Sequence, residues 1–186
     1  MIAPDQSATV RFFGVVDGDT AKAILSTLDS LVAGGCKKVL LLISTPGGGV
    51  HEGISVHNYL KAVPIEVTTC NYGSVDSIGT VIFSAGARRL SAPNARFLLH
   101  PVAFNILEKV SFEEHQLIEK LKSLQIDSTN IARIISTACG KPEKEVSALM
   151  SARTTWDPEQ ARAFGLVHDV RADVVPVGAK VIAIQK

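Results

Sequence analysis

Apolar residues cluster first over residues 10–16 (VRFFGVV), which predicts a strand broken by Gly14. The period then changes. Ala21, Ile24, Leu25, Leu28, Leu31 and Val32 recur at three- and four-residue steps, which predicts a helix over 20–33. Asp17-Gly18-Asp19 supplies turn and cap chemistry before it, and Gly34-Gly35 closes it. Residues 39–43 (VLLLI) are continuously apolar, the pattern of a strand covered on both faces by helices. A glycine-rich turn at 46–49, a helix at 53–61, a strand at 65–70, a helix at 77–87 and a strand at 96–100 complete an alternation. Such alternation predicts parallel βαβ units with right-handed crossovers. Ligands then gather at the carboxyl ends of strands and at helix N-termini, where backbone N–H groups are free.

The character changes beyond residue 110. Residues 111–139 lack glycine and proline until Gly140, and Ser111 with Glu114 reads as a capping box. Leu117, Leu121, Leu124, Ile131, Ile134 and Ile135 form a long apolar stripe, to be covered either by the chain's own sheet or by a partner subunit. A short helix follows at 142–151. Asp157 as N-cap with Pro158 at the first helical position opens another, which closes at Gly165. Residues 174–184 alternate like a last hairpin or edge strand. No linker or repeat divides the chain, and residues 1–186 are expected to form a single domain.

Composition narrows the function classes. With 46% hydrophobic and 20% charged residues, the 186-residue chain can bury a sizeable core. A formal charge of +1 gives no reason to expect nucleic acid or an anionic membrane as partner. Cys36, Cys70 and Cys139 are odd in number and widely spaced, so they suit a reducing compartment and form no zinc pattern. The start, MIAPDQS, has no basic segment followed by an apolar block. The expectation is a soluble, cytoplasmic protein.

Two glycine-rich segments follow predicted strands. Ser44-Thr-Pro-Gly-Gly-Gly-Val50 lacks the lysine and spacing of a phosphate-binding loop, yet adjacent glycines let backbone N–H groups turn into a cavity, as an oxyanion hole requires. Tyr72-Gly-Ser-Val-Asp-Ser-Ile-Gly79 places Ser77 at a helix start, where it serves equally as a plain N-cap or as a nucleophile facing the positive end of the dipole. His100 ends a strand at the ligand-binding edge, a position for a general base or for a satisfied polar cap. His51, His57, His115 and His168 lie in turn or amphipathic contexts.

In order along the chain, Ile43-Ser-Thr-Pro-Gly-Gly48, Gly73-x-x-x-Ser77-Ile78-Gly79, Ser84-Ala-Gly86, Pro93-Asn94 with Arg96 to His100, and Ala161 with Gly165-Leu166-Val167 resemble the proteolytic subunit of the ATP-dependent Clp protease. The resemblance spans about residues 10–169. It implies an α/β, crotonase-like (ClpP/SppA) fold of stacked βαβ units with a protruding handle helix, here about 101–139. It implies Ser77 as nucleophile, His100 as base, and the amides of Gly48 and Ile78 as the oxyanion hole. Peptide would bind beside Gly47, Gly48, Gly49 and Val50 and the segment after His100. It further implies a ring-forming homo-oligomer whose handle helix packs two rings together, acting on peptide or unfolded protein without cofactor or metal.

The sequence departs from that pattern at the third triad member. Counting back from Gly165-Leu166-Val167 through Ala161 puts Arg153 where the family carries an aspartate. A cation there cannot accept the second histidine N–H bond and disfavours the imidazolium. Asp157, four residues on, is the nearest acid to stand in as third member. The chain begins close to its first strand, and Pro101-Val-Ala-Phe-Asn105 lacks the glycines the family carries after its histidine, which leaves an ATPase unfoldase partner open. The leading expectation is a serine-type endopeptidase working through a Ser77 acyl-enzyme. The alternative is a catalytically impaired peptide-binding or structural subunit, and the third is a crotonase-type acyl-CoA enzyme.

Overall fold

The computed structural model describes residues 6–104 and 111–184. β1 (Ser7–Phe13), α1 (Gly18–Ala33), β2 (Lys38–Thr45), α2 (Val50–Ala62) and β3 (Glu66–Asp76) alternate as expected, with β2 paired in parallel to both β1 and β3. α1 starts where the sequence supplies a cap: Asp17 accepts from the Thr20 N–H at 2.9 Å, and the Thr20 hydroxyl oxygen accepts from the Asp17 N–H. α3 (Gly79–Ser84), β4 (Arg88–Ser91) and β5 (Arg96–Leu98) follow, then α4 (Glu114–Cys139), α5 (Glu143–Ser151), β6 (Thr155–Trp156), α6 (Pro158–Phe164), β7 (Asp169–Val170) and β8 (Val181–Ile184).

The sheet runs β6-β5-β3-β2-β1-β8, with β4 on a branch between β3 and β7. β3 makes the branch. Its first part, Thr68 to Asn71, pairs with β4, and its last part, Ser74 to Asp76, pairs with β5. Between them the register against β2 slips: Ile43 faces Asn71, but Thr45 faces Val75. Extra residues on one strand bend it, so β3 leaves the first layer and carries its end to a second one. The glycine-rich stretch Tyr72-Gly73-Ser74, read from sequence as a turn, belongs to β3: the Gly73 N–H donates to the Asn71 side chain at 3.1 Å, and Ser74 pairs with Arg96 of β5.

β2 is apolar on both faces for two different reasons. Val39, Leu41 and Ile43 face the main core under the helices, while Leu40 and Leu42 pack with Cys70, Leu90 and Val174 on the other face. The expected second helix layer is replaced there by the C-terminal tail. The tail ends as an edge strand, with β8 parallel to β1; no hairpin forms among the described residues.

α4 begins at Glu114, later than Ser111, because Glu113 takes the N-cap with Gln116 closing the box. Of the handle expected over 101–139, residues 105–110 lie outside the described residues. Its stripe divides. Ile131, Ala132 and Ile135 are buried against the core, whereas Leu117, Ile118 and Leu121 are 51%, 59% and 56% exposed. Gly140, in the left-handed conformation, stops the helix. Arg89, on β4, anchors this end: its buried guanidinium donates to the carbonyls of Ala138 (2.7 Å), Leu166 (2.8 Å) and Gly165 (3.2 Å), tying α4 and α6 to the sheet. Helix C-terminal carbonyls attract a cation, and burial pulls the pKa of Arg89 down from the usual range. Among the described residues no helix is long and apolar enough to cross a membrane.

Candidate active site

β3 ends at Asp76, and the chain must turn into α3 within two residues. Ser77 makes that corner with φ +56°. A non-glycine residue in the left-handed region costs ~1–3 kcal/mol and persists only where its surroundings hold it. They do here. The Ser77 N–H donates to the Leu98 carbonyl at 2.8 Å, and its own carbonyl accepts from the Thr80 N–H at 3.0 Å and hydroxyl at 2.7 Å. Ser77 is therefore the corner itself; the helix starts two residues later than expected.

Gly47 and Gly48 close on that corner. A Cβ on Gly47 would lie 2.7 Å from Ser77 Cβ, and one on Gly48 would lie 2.0 Å from the Val16 carbonyl oxygen. Both have positive φ, at +95° and +148°. Any larger residue would clash at both positions. Val16 N–H donates to the Gly47 carbonyl at 2.8 Å, and Gly49 N–H donates to the Val16 carbonyl at 2.7 Å. In such a parallel bridge the middle residue directs its own N–H to the opposite side. Among the described residues, neither the Gly48 N–H nor the Ile78 N–H donates to a protein acceptor. Gly48 stands one residue before the N-cap of α2 and Ile78 is the N-cap of α3, so two helix N-termini converge there.

His100 follows β5. Its Nδ1 lies 2.7 Å from the Pro101 carbonyl oxygen, which only accepts, so Nδ1 carries the proton and Nε2 keeps its lone pair. Ser77, His100, Gly48, Ile78 and Val50 line one cavity of about 210 Å³, with Ile131, Ile135 and Met150 as its apolar wall. No hydrogen bond joins the Ser77 hydroxyl to the His100 ring in this resting arrangement, in which Ser77 and His100 line the same space. Catalytic pairs often tighten only when substrate binds.

Asp157, the acid expected to stand in as third member, has a structural partner of its own. That carboxylate caps α6, accepting from the Gln160 N–H at 2.8 Å. β6 runs antiparallel to β5 with Phe97 opposite Trp156 and Leu98 opposite Thr155, and the Leu99 N–H donates to the Thr154 carbonyl. β6 ends at Trp156 and Asp157 opens the next helix, while Arg153 precedes β6 in the turn after α5, its N–H donating to the Met150 carbonyl at 3.0 Å. Arg153 is exposed, in the left-handed conformation at φ +54°.

The motif reading passed over one buried acid. Asp76, directly before Ser77, is only 5% exposed. Its Oδ2 accepts from Arg96 at 2.6 Å, while Oδ1 is buried with no partner among the described residues. Burial pushes the Asp76 carboxyl above the usual range, opposed by the charges of Arg96 and His100. The available signal was an acid inside an otherwise apolar strand end, Val75-Asp76-Ser77-Ile78. The remaining histidines serve elsewhere: His57 Nδ1 pairs with the Val81 carbonyl, and His168 Nδ1 accepts from the Arg89 N–H.

Comparison with known proteins places this arrangement. The family described as Clp protease matches residues 5–173. The ATP-dependent Clp protease proteolytic subunit 3 of Rhizobium meliloti (strain 1021) is 31% identical over 175 residues, covering 92% of this chain and 87% of that one. The ATP-dependent Clp protease proteolytic subunit of Bdellovibrio bacteriovorus is 29% identical over 139 residues, covering 72% and 64%. Among solved structures, a mutant ClpP1 from Listeria monocytogenes shares the fold with a TM-score of 0.81 at 22% identity, over 89% of this chain and 92% of that one. With its crotonase-like fold and a family match that runs through nearly the whole sequence, the chain belongs to the Clp protease family.

Proposed function

We propose that the chain is a serine-type endopeptidase that cleaves peptides or unfolded protein through a Ser77 acyl-enzyme. The observation that carries this reading is the convergence of Ser77, His100 and the two unpaired amides of Gly48 and Ile78 on one cavity. His100 Nε2 takes the Ser77 proton as Oγ attacks the peptide carbonyl, and the new oxyanion accepts from the Gly48 and Ile78 N–H groups. The imidazolium then returns the proton to the leaving amine. Water, deprotonated by the same ring, hydrolyses the ester. Each oxyanion donor supplies about 3 kcal/mol of barrier lowering, comparable in weight to the nucleophile's activation. Substrate lies extended beside Gly47 to Val50 and the segment after His100, held by main-chain hydrogen bonds.

The whole chain acts in this reading as one ClpP-like domain in the cytoplasm, assembled as a homo-oligomeric ring. The exposed Leu117, Ile118 and Leu121 on the outer half of α4 support assembly, since a monomer would leave that stripe in water. Hydrolysis of short fluorogenic peptides tests the activity: turnover is expected from the wild type and none from Ser77→Ala. One observation favours the second reading, an impaired peptide-binding subunit: Arg153, an exposed cation, stands in the sequence where the resemblance implies an acid. Equal rates from wild type and Ser77→Ala, with peptide binding retained, would establish that reading instead.

A further inference from the structure

We propose that Lys120 is a positioning residue for substrate: it grips the segment after His100 through an aromatic ring and holds that segment's main chain where a peptide pairs with it. This rests on the peptide-cleaving reading above and names a residue that sets substrate affinity rather than the chemistry.

The segment leads directly away from the base. Pro101 to Phe104 belong to no strand, and among the described residues the amides of Val102, Ala103 and Phe104 donate to no protein acceptor. Backbone groups of this kind are available to an extended peptide. They also leave the segment without a ladder to fix its place, so side chains must fasten it. Val102 packs against the core at one end. At the other end, the Lys120 ammonium on α4 lies 4.3 Å from the centre of the Phe104 ring and 5.1 Å from that of Phe112. A cation over an aromatic face is attracted by the quadrupole of the ring. Among the described residues Lys120 forms no ion pair with a carboxylate, and it is half-buried where residues 113–119 before it are exposed. The nearby Asp127 faces His51 instead, at 3.9 Å.

Two cavities meet at this segment. Val50, Val102 and Ala103 line both the cavity of Ser77 and His100 and a second one of about 470 Å³, which Phe104, Phe112 and Lys120 help to close. Val102 and Ala103 are thus the partition between the reacting groups and Lys120, which acts on substrate through the segment and not by touching the reacting atoms. The departure from the family's pattern gains a physical counterpart here. Glycine offers a neighbouring helix no side chain to hold, whereas Pro101-Val-Ala-Phe104 presents a ring to the cation.

Steady-state kinetics on a fluorogenic peptide test the proposal, each variant being checked for assembly by its mass in solution. Lys120→Met keeps the apolar stem and the helix propensity but loses the charge. It is expected to raise KM about fivefold with kcat little changed, the signature of binding lost equally from ground and transition states. Lys120→Gln gives the same comparison if methionine disturbs assembly. Lys120→Arg, whose guanidinium also stacks on aromatic faces, should restore the wild-type KM. Phe104→Leu should raise KM alike, and Lys120→Met combined with Phe104→Leu should add little to either change alone, because both break one contact. An unchanged KM in the uncharged variants, or single effects that add in full when combined, would overturn the proposal. If the wild type does not turn over peptide, the peptidase reading fails. Peptide binding to Ser77→Ala, read by fluorescence anisotropy with and without Lys120→Met, then still decides the role of Lys120 by the same fold-change.

Discussion

The two walls of the cavity are built by different means. On the wall of Gly47, Gly48, Ser77 and Ile78, everything but the Ser77 hydroxyl is backbone: a left-handed corner, two glycines with no room for a Cβ, and two amides at helix starts. On the wall of His100 and Pro101, one side chain, the imidazole, is held by the Pro101 carbonyl, and the pattern that the resemblance implies breaks at Arg153, off that wall. Backbone geometry cannot be moved to another residue without refolding the turn. A charge can be supplied from any direction. The comparison explains why the backbone wall keeps the motif while the departure falls on a side chain.

The largest effect should come from the backbone wall. Gly48→Ala forces a methyl against the Val16 carbonyl and displaces an oxyanion donor, so kcat should fall about 10²- to 10³-fold, with loss of thermal stability. Steady-state kinetics on a fluorogenic peptide, with a melting curve, would show both. Survival of activity in Gly48→Ala would break the distinction between the walls. Near the imidazole wall, Arg153→Asp should raise activity ~10- to 100-fold, because it restores the acid that the resemblance implies, which would orient and stabilise the imidazolium. A decrease would mean that Arg153 has a positive role of its own.

Stability sharpens the same contrast. Because burial raises the Asp76 carboxyl above its unfolded value, the folded state holds that proton more tightly, and Asp76 costs stability as pH rises through its titration. Asp76→Asn should therefore melt no lower than wild type at neutral pH, with the difference shrinking in acid, where both side chains are neutral. Thermal melts across pH would check it. Smallest in functional effect, Asp157→Ala should lose ~1 kcal/mol of stability with the loss of a helix cap and leave turnover unchanged.

These residues also mark where the sequence could be read. β1, α1, β2, α2 and the cap at Asp157 follow from periodicity and turn chemistry, because each is decided within a few residues. The second half of β3 was not legible: Gly73 and Ser74 favour a turn locally, and distant partners keep β3 going, with Ser74 to Asp76 paired to β5. β4 hides for a related reason, since Arg88-Arg89 reads as surface until the Ala138, Gly165 and Leu166 carbonyls are brought around Arg89. The start of α4 moved because Glu113 and Gln116 formed the capping box ahead of Ser111. In the site, Ser77, His100 and the glycines were legible as an ordered set of motifs. The burial of Asp76 was not, because it depends on a cross-strand register that is not local.

The central claim is that Ser77 is a nucleophile activated by His100. Intact mass and peptide mapping after fluorophosphonate treatment of the assembled protein test it most directly. The account predicts one adduct on the peptide carrying Ser77, absent in Ser77→Ala and formed far more slowly in His100→Gln at neutral pH. An assembled protein that takes no adduct at Ser77, or takes it equally fast without the imidazole, would contradict it.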